Sequence, residues 1–419
     1  MVINHHDYEV VSMTDLETLQ AILNDGDQKL AEEETLVDRE LLGTLRDRAG
    51  FEVVEVAMGV RRSGKSTLLL MVGRELRKSG RRVYYLNFED ERLMPEPKDL
   101  TNLTSMMDLE GAVMIADEPQ NMIKWERWVR RMHDRKVKVY LSGSNSKLLG
   151  GELATALSGR KLTHQVFTLS YREFMKAQNR AAGWTDQDIR GLEEYLVRGG
   201  FPYPTVKGDY AVLAEYRNDI IEKDILARYG IRNPQAFRDL CRFILSNPGL
   251  TVSMRSVSGL IRISNVTLRK YMDHLVEAYA LIPLEKFSRS QKERLANPKK
   301  YYPMDNGLII NTPSKGRLLE ACILQHLSRL KVEVFYWKDD RGREIDFYIP
   351  ARKLAVQVVY ELRRENIDRE CRALESAKKQ LGAEPLMVYM YANAESGYPT
   401  MRAPEFLEWI EKEFAPANV

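Results

Sequence analysis

Cysteine is scarce in this chain of 419 residues: Cys241, Cys322 and Cys371 are odd in number and far apart. They fit a reducing, cytoplasmic interior better than a disulfide framework. Histidine is also sparse, six residues without metal-ligand spacing, and neither CxxC nor HExxH occurs. Zinc chemistry is therefore not expected. No apolar run approaches the roughly 18 residues that a membrane helix needs. The opening MVINHHDYEV lacks the charged-then-apolar layout of a secretory signal. Repeats and low-complexity tracts are missing as well. Secretion, membrane spanning and zinc binding are all disfavoured.

What is present is an ordinary globular balance, 44% hydrophobic and 29% charged residues. At about 150 residues per domain the length predicts two to three domains. The net charge of +3 conceals an asymmetry: residues 1–50 carry −8 and the remainder +11. A basic body suits an anionic partner. Residues 1–50 read as an acidic helical segment, with Leu19, Ile22, Leu23 and Leu30 at helical spacings. From 51 to about 180, short apolar runs (FEVVEVAM, RRVYYLNFE, AVMIADE, VKVYLSG, LTHQVFTL) alternate with amphipathic stretches. That alternation predicts an α/β fold, a parallel sheet covered on both faces. Residues 181–234 form a helical connector, residues 235–305 three helices and a ribbon, and residues 306–419 return to mixed helix and strand.

One string carries most of the chemistry. Gly59-Val-Arg-Arg62-Ser63-Gly64-Lys65-Ser66-Thr67 follows the strand EVVEVAM and opens a helix. This is GxxxxGK[ST] in its strand–loop–helix setting. The glycines let backbone N–H groups curl inward onto phosphate oxygens, and the helix N-terminus adds partial positive charge. Lys65 is expected to bridge the β- and γ-phosphates of ATP, with the Ser66 hydroxyl on Mg²⁺. The run AVMIAD117E118 delivers Asp117 as a second Mg²⁺ residue and Glu118 as the base for an attacking water. Pro119 is expected to keep Glu118 extended. Ser144 and Asn145, after the strand VKVYLS, are candidate γ-phosphate sensors, a helix N-cap being the alternative. In KWERWVRRMHDR, Trp125, Trp128, Val129 and Met132 form a core stripe, with Arg127, Arg130, Arg131 and Arg135 off it.

The strings GVRRSGKSTLL, YYLNFEDERL, IADEPQN, YLSGSNSKLL, LSGRKLTHQVFTLSYREF and RGGFPYP together resemble prokaryotic AAA+-type ATPases with a C-terminal domain of unassigned function. The resemblance runs from about 50 to at least 390. It implies a P-loop NTPase sheet, a helical and winged-helix middle, and a restriction-endonuclease-like terminal domain. It also makes Arg160, in LSGR, the leading arginine to reach a γ-phosphate, in a neighbouring subunit of a ring or other oligomer.

Within residues 235–305, AFRDLCRFILSN, MRSVSGLIR and SNVTLRKYMDHLVEAY predict three helices ahead of a strand–turn–strand ribbon, the layout of a winged helix. Asn265, Arg269 and Lys270 lie off the apolar face of the third helix. The ribbon tip holds Lys286, Arg289, Lys292, Arg294, Lys299 and Lys300, suited to phosphates of duplex or branched DNA; protein docking is the alternative. The stretch VFYWKDDRGREIDFYIPARKLAVQVVYEL is similar to a PD-(D/E)xK nuclease core. Glu320 and Asp346 match metal-binding positions, but Gln357-Val358-Val359 replaces acid-x-lysine. Loss of that lysine removes the group that would polarise water, so a nuclease-inactive domain that binds DNA is the expectation. The whole reads as a Mg²⁺-dependent, DNA-binding ATPase, with a nucleotide-controlled switch that binds protein as the runner-up.

Overall fold

Each apolar run after residue 51 is too short for a buried helix and is bounded by turn residues, so each becomes a strand. They are β1 (Val54–Met58), β2 (Val83–Asn87), β3 (Val113–Asp117), β4 (Lys138–Gly143) and β5 (Lys161–Gln165). The computed structural model describes residues 14–32, 37–144, 157–180, 186–311 and 313–414. Two compact units result, one of residues 1–59 with 64–166 and one of residues 60–63 with 167–419.

In the first unit the strands run in the order β2-β3-β4-β1-β5, all parallel. β1, β3 and β4 are buried along their whole lengths, which is why they read as continuous apolar runs rather than alternating ones. The helices are α1 (Leu16–Ala31), α2 (Glu40–Asp47), α3 (Lys65–Lys78), α4 (Pro97–Ser105) and α5 (Trp125–Asp134). Leu68, Leu69 and Val72 of α3 meet Val83, Val113, Ile115 and Tyr140 of the sheet in one apolar cluster, joined by Leu30 of α1 and Leu45 of α2. In α5 the stripe of Trp125, Trp128, Val129 and Met132 is buried, and its arginines stay exposed.

The acidic N-terminal segment therefore belongs to the first unit. Asp15 caps α1 by accepting from the Thr18 amide at 2.8 Å. Gly26 lies so close to β2 that a Cβ there would stand 2.1 Å from the Tyr85 carbonyl oxygen.

The second unit opens with α6 (Tyr171–Ala177), whose capping box joins Ser170 and Glu173 as the sequence predicts. Next come α7 (Asp186–Arg198), α8 (Pro202–Lys207) and α9 (Val212–Asp219), which runs into a π-helical turn at Ile220–Leu226. α10 (Pro234–Ser246), α11 (Met254–Ile261) and α12 (Asn265–Glu277) precede β6 (Leu281–Leu284) and β7 (Lys300–Pro303), an antiparallel pair. The expected loop between them contains a short helix, α13 (Gln291–Ala296), capped by Ser290. A mixed sheet follows in the order β12-β11-β10-β9-β8. Its strands are β8 (Phe335–Lys338), β9 (Glu344–Ile349), β10 (Leu354–Leu362), β11 (Glu384–Ala392) and β12 (Thr400–Arg402), with α14 (Lys315–Arg329), α15 (Arg364–Leu381) and α16 (Ala403–Phe414).

Replacing Gly26 by Ala is expected to lower stability by about 1–3 kcal/mol, the usual cost of overpacking. Chemical denaturation should show this, whereas Gly50→Ala, with open space around it, should leave the midpoint nearly unchanged.

Candidate functional site

β1 ends at the phosphate loop. Gly64 closes the curl with φ 90°, a left-handed conformation that glycine adopts without a Cβ penalty. α3 begins at the next residue, and no side chain caps it. An uncapped helix N-terminus behind a curled loop is a ready anion site. Lys65 is 6% exposed, and its Nζ donates to the Gly59 carbonyl at 3.1 Å. The ammonium is thus held over the loop by a main-chain acceptor of the loop itself. Ser66 is half-buried and Thr67 exposed, while Gly59 and Ser63 are buried. Arg62 has φ 67° and is exposed.

β3 carries Asp117 and Glu118 to the same carboxyl edge of the sheet, both nearly buried. Asp117 accepts from the Tyr85 hydroxyl at 2.8 Å through one oxygen and from the Ser142 hydroxyl through the other. Burial, reinforced by the Asp117 carboxylate beside it, raises the Tyr85 phenol well above its ordinary value. Glu118 accepts from the Gln120 amide. Its own carboxyl is raised, chiefly because burial disfavours the charged form, with the Lys65 ammonium pulling the other way. Glu118 is not extended: φ 50° and ψ 47° put it in the left-handed region. The proline clash disfavours the right-handed helical basin for Glu118, and Glu118 enters the 3₁₀ turn Pro119–Asn121 from the left-handed region instead.

Ser144 follows Gly143, which pairs with Met58 at the head of the loop. Its hydroxyl is buried without a partner among the described residues. Asn145 lies outside the described residues. Tyr85, Ser142 and Gln120 were not singled out from sequence; the sheet order, which places β4 beside β3, is what brings Ser142 to Asp117.

Arg160 stands apart from this cluster. Its carbonyl accepts from Val54 at the amino end of β1, so the whole strand, on the order of 15 Å at 3.3 Å per residue, separates it from the loop. It cannot act on the phosphate loop of its own chain. Its guanidinium is about half exposed and 3.3 Å from Asp134.

In the second unit Asn265, Arg269 and Lys270 are exposed on α12. The ribbon residues divide. Arg289 and Lys292 are exposed, Lys286 is half-buried, Arg294 stacks on Phe335, and Lys299 pairs with Glu285 at 2.7 Å. Lys300 corrects the sequence reading. It is 3% exposed, bound to Glu320 at 3.1 Å and Glu344 at 2.8 Å, and is no phosphate contact. All four residues of β7 are buried, and Lys300 and Tyr302, two apart and so on one face of the strand, both meet Glu320 of α14. Glu320 also accepts from Tyr302. Asp346 accepts from the Val358 amide at 2.8 Å, and Gln357 donates to Glu370 at 2.9 Å. Among the described residues no three His, Cys, Asp or Glu side chains form a metal-holding group.

The raised Glu118 carboxyl has a consequence for stability. Because its folded-state pKa is raised, the contribution present at low pH is lost as pH rises through that value. Glu118→Gln should therefore be more stable than the parent at pH 8, with the difference shrinking towards pH 4; equal melting temperatures across this range would contradict the burial argument.

A family model described as an AAA domain matches residues 53–175, and one described as a domain of unknown function (DUF8612) matches residues 189–315. The protein MJ1544 of Methanocaldococcus jannaschii is 29% identical over 383 residues, 85% of this chain and 86% of its own length. A Haemophilus influenzae protein is 30% identical over 341 residues, 74% of this chain and 83% of its own. Among solved structures, the Walker-type ATPase PABY2304 of Pyrococcus abyssi is similar at a TM-score of 0.44 and 14% identity, over 69% of this chain and 99% of that one. The chain thus belongs to the family of the Haemophilus influenzae protein, and its residues 53–175 match an AAA domain.

Proposed function

We propose that this chain hydrolyses ATP with Mg²⁺, engages duplex or branched DNA through residues 235–305 and the terminal sheet domain, and works as an oligomer. The observation that carries the hydrolytic part is a buried ammonium, Lys65, and two nearly buried carboxylates, Asp117 and Glu118, at the carboxyl edge of one parallel sheet. An isolated pair of buried carboxylates is costly unless compensated, and a site that takes a cation and a polyphosphate compensates it.

Ser66 and Asp117 would hold the Mg²⁺. Asp117 would do so through water, because Tyr85 and Ser142 already occupy one site on each of its oxygens. When bound, the ion neutralises charge developing on the β- and γ-oxygens. Lys65 exchanges the Gly59 carbonyl for phosphate oxygen, and the Ser144 hydroxyl finds an acceptor. Glu118 takes the proton of the attacking water; its raised proton affinity brings it towards the range where a general base works best. Gln120 must first let it go.

For DNA, the support lies in α11 and α12. Residues 251–272 contain Arg255, Arg262, Arg269 and Lys270 and no acid, and all four are exposed. Exposed Leu260 and Val266 stand among them, and these favour the second reading, in which the same face docks a protein and ATP acts as a switch. A hydrolysis rate stimulated by DNA supports the first reading, and nucleotide retained without stimulation supports the second.

The double substitution Arg269→Ala, Lys270→Ala is expected to weaken duplex binding and reduce the slope of log affinity against log salt by about 2. Unchanged salt dependence in a fluorescence anisotropy titration would remove α12 from the interface. Arg160→Ala should cut hydrolysis in the assembled protein by roughly 10³-fold while leaving nucleotide affinity intact; full turnover by the assembled variant would end its role between subunits.

A further inference from the structure

The loop residues Val60–Ser63 group with the second unit, and what they meet there is unusual. Arg61 forms a two-pronged pair with Asp224: Nε stands 3.1 and 3.0 Å from the two carboxylate oxygens, and Nη2 is 2.9 Å from one of them. Asp224 is only 1% exposed. Arg62 is held far less firmly. Its guanidinium is 3.8 Å from Asp219 and 5.6 Å from the centre of the Tyr216 ring. Asp219 already has a closer partner in Lys223 at 2.7 Å.

The helix that presents these groups explains why they act together. In an ordinary α-helix, residues five apart point about 140° away from each other at 3.6 residues per turn. The π-helical turn Ile220–Leu226 bonds i to i+5, which brings residues five apart towards one face. Asp219 and Asp224 are five apart, and Tyr216 sits one turn before Asp219. The widened turn thus aligns two carboxylates and an aromatic ring on one face, opposite two consecutive arginines of the phosphate loop. Glu222 ties the same turn to α10 through Arg238, at 2.7 and 3.0 Å.

Resting on the nucleotide reading above, we propose that this π-helical turn is the positioning element of the phosphate loop: Asp224 fixes Arg61, while Asp219 and Tyr216 hold Arg62 in reserve for the polyphosphate of a nucleoside triphosphate. Asp224 does not touch the nucleotide. It acts through Arg61, fixing the curl of residues Val60–Ser63. Arg62 is the arm that changes partner: its weak pair with Asp219 is exchanged for phosphate, and the turn then reports occupancy to α10.

The test uses the full chain and fluorescent ATP and ADP analogues, with amide exchange read over residues 59–64 and 216–229. Asp224→Asn is expected to weaken binding of both analogues about tenfold, equivalent to about 1.4 kcal/mol, and to speed exchange over 59–64. The charge swap Arg61→Asp with Asp224→Arg should bring affinity back to within about threefold, which loss of fold would not allow. Should Asp224→Asn fail to fold, the apolar pair Arg61→Met with Asp224→Leu takes its place and should bind as weakly. Asp219→Asn, which frees Arg62, should tighten the triphosphate analogue about threefold relative to the diphosphate.

Parent-like affinity in the folded Asp224→Asn or apolar-pair variant overturns the positioning role, and an unchanged triphosphate preference in Asp219→Asn overturns the role of Arg62. Lys65→Ala separates this inference from its foundation. If that variant binds the analogues as the parent does, the nucleotide reading itself fails; if it does not bind while Asp224→Asn binds normally, only the π-helical turn is excluded.

Discussion

An ammonium held out of water at the start of a helix is the constraint on which the first unit turns. Removing a charge of that size from solvent costs on the order of several kcal/mol. The Gly59 carbonyl at 3.1 Å returns part of this, and the only geometry that delivers it is a loop curled tightly enough for Gly59 to face the residue six positions on. Gly64, with its left-handed backbone, permits the curl. The buried β1 strand and the apolar face of α3 fix its two ends, through Ala57 on one side and Leu68, Leu69 and Val72 on the other.

The order of strands then decides which groups surround that ammonium. β4 lies between β1 and β3, so Ser142 and Ser144 sit between the loop and the acids rather than beyond them. Ser142 and Tyr85 each take one acceptor site on Asp117, one on each oxygen. Glu118 is the strained member. Its left-handed backbone costs on the order of 1–3 kcal/mol, and such strain persists where the surroundings over-determine it. Here they do, with Pro119 on one side and, on the other, the Glu118 amide donating to the Ser142 carbonyl at 3.3 Å. In the second unit the corresponding uncommon conformation is the π-helical turn Ile220–Leu226.

The loop, the five strands and the two acids were legible in sequence because each rests on local chemistry: glycine where φ is positive, an apolar run where both sheet faces are covered, acid at a strand end. The capping box at Ser170 was legible for the same reason. Tyr85, Ser142, Asp219 and Asp224 were not, since their roles arise from strand order and from a helical widening that no residue pattern announces. The ribbon misled for a related reason. Six basic residues in sixteen read as a solvated tip, but α13 folds the tip back. Lys300, at the first position of β7, turns inward to Glu320, a residue 20 positions away in sequence. Composition cannot distinguish a lysine facing phosphate from one facing a carboxylate.

The most direct test of the central claim is a calorimetric titration of the nucleotide-free chain with Mg²⁺ and a non-hydrolysable ATP analogue. One site per chain, with affinity that falls when the γ-phosphate is absent, is the result predicted by a loop built around Lys65 and backed by Asp117 and Glu118. No heat of binding, or equal affinity for the adenosine moiety without its phosphates, would contradict it.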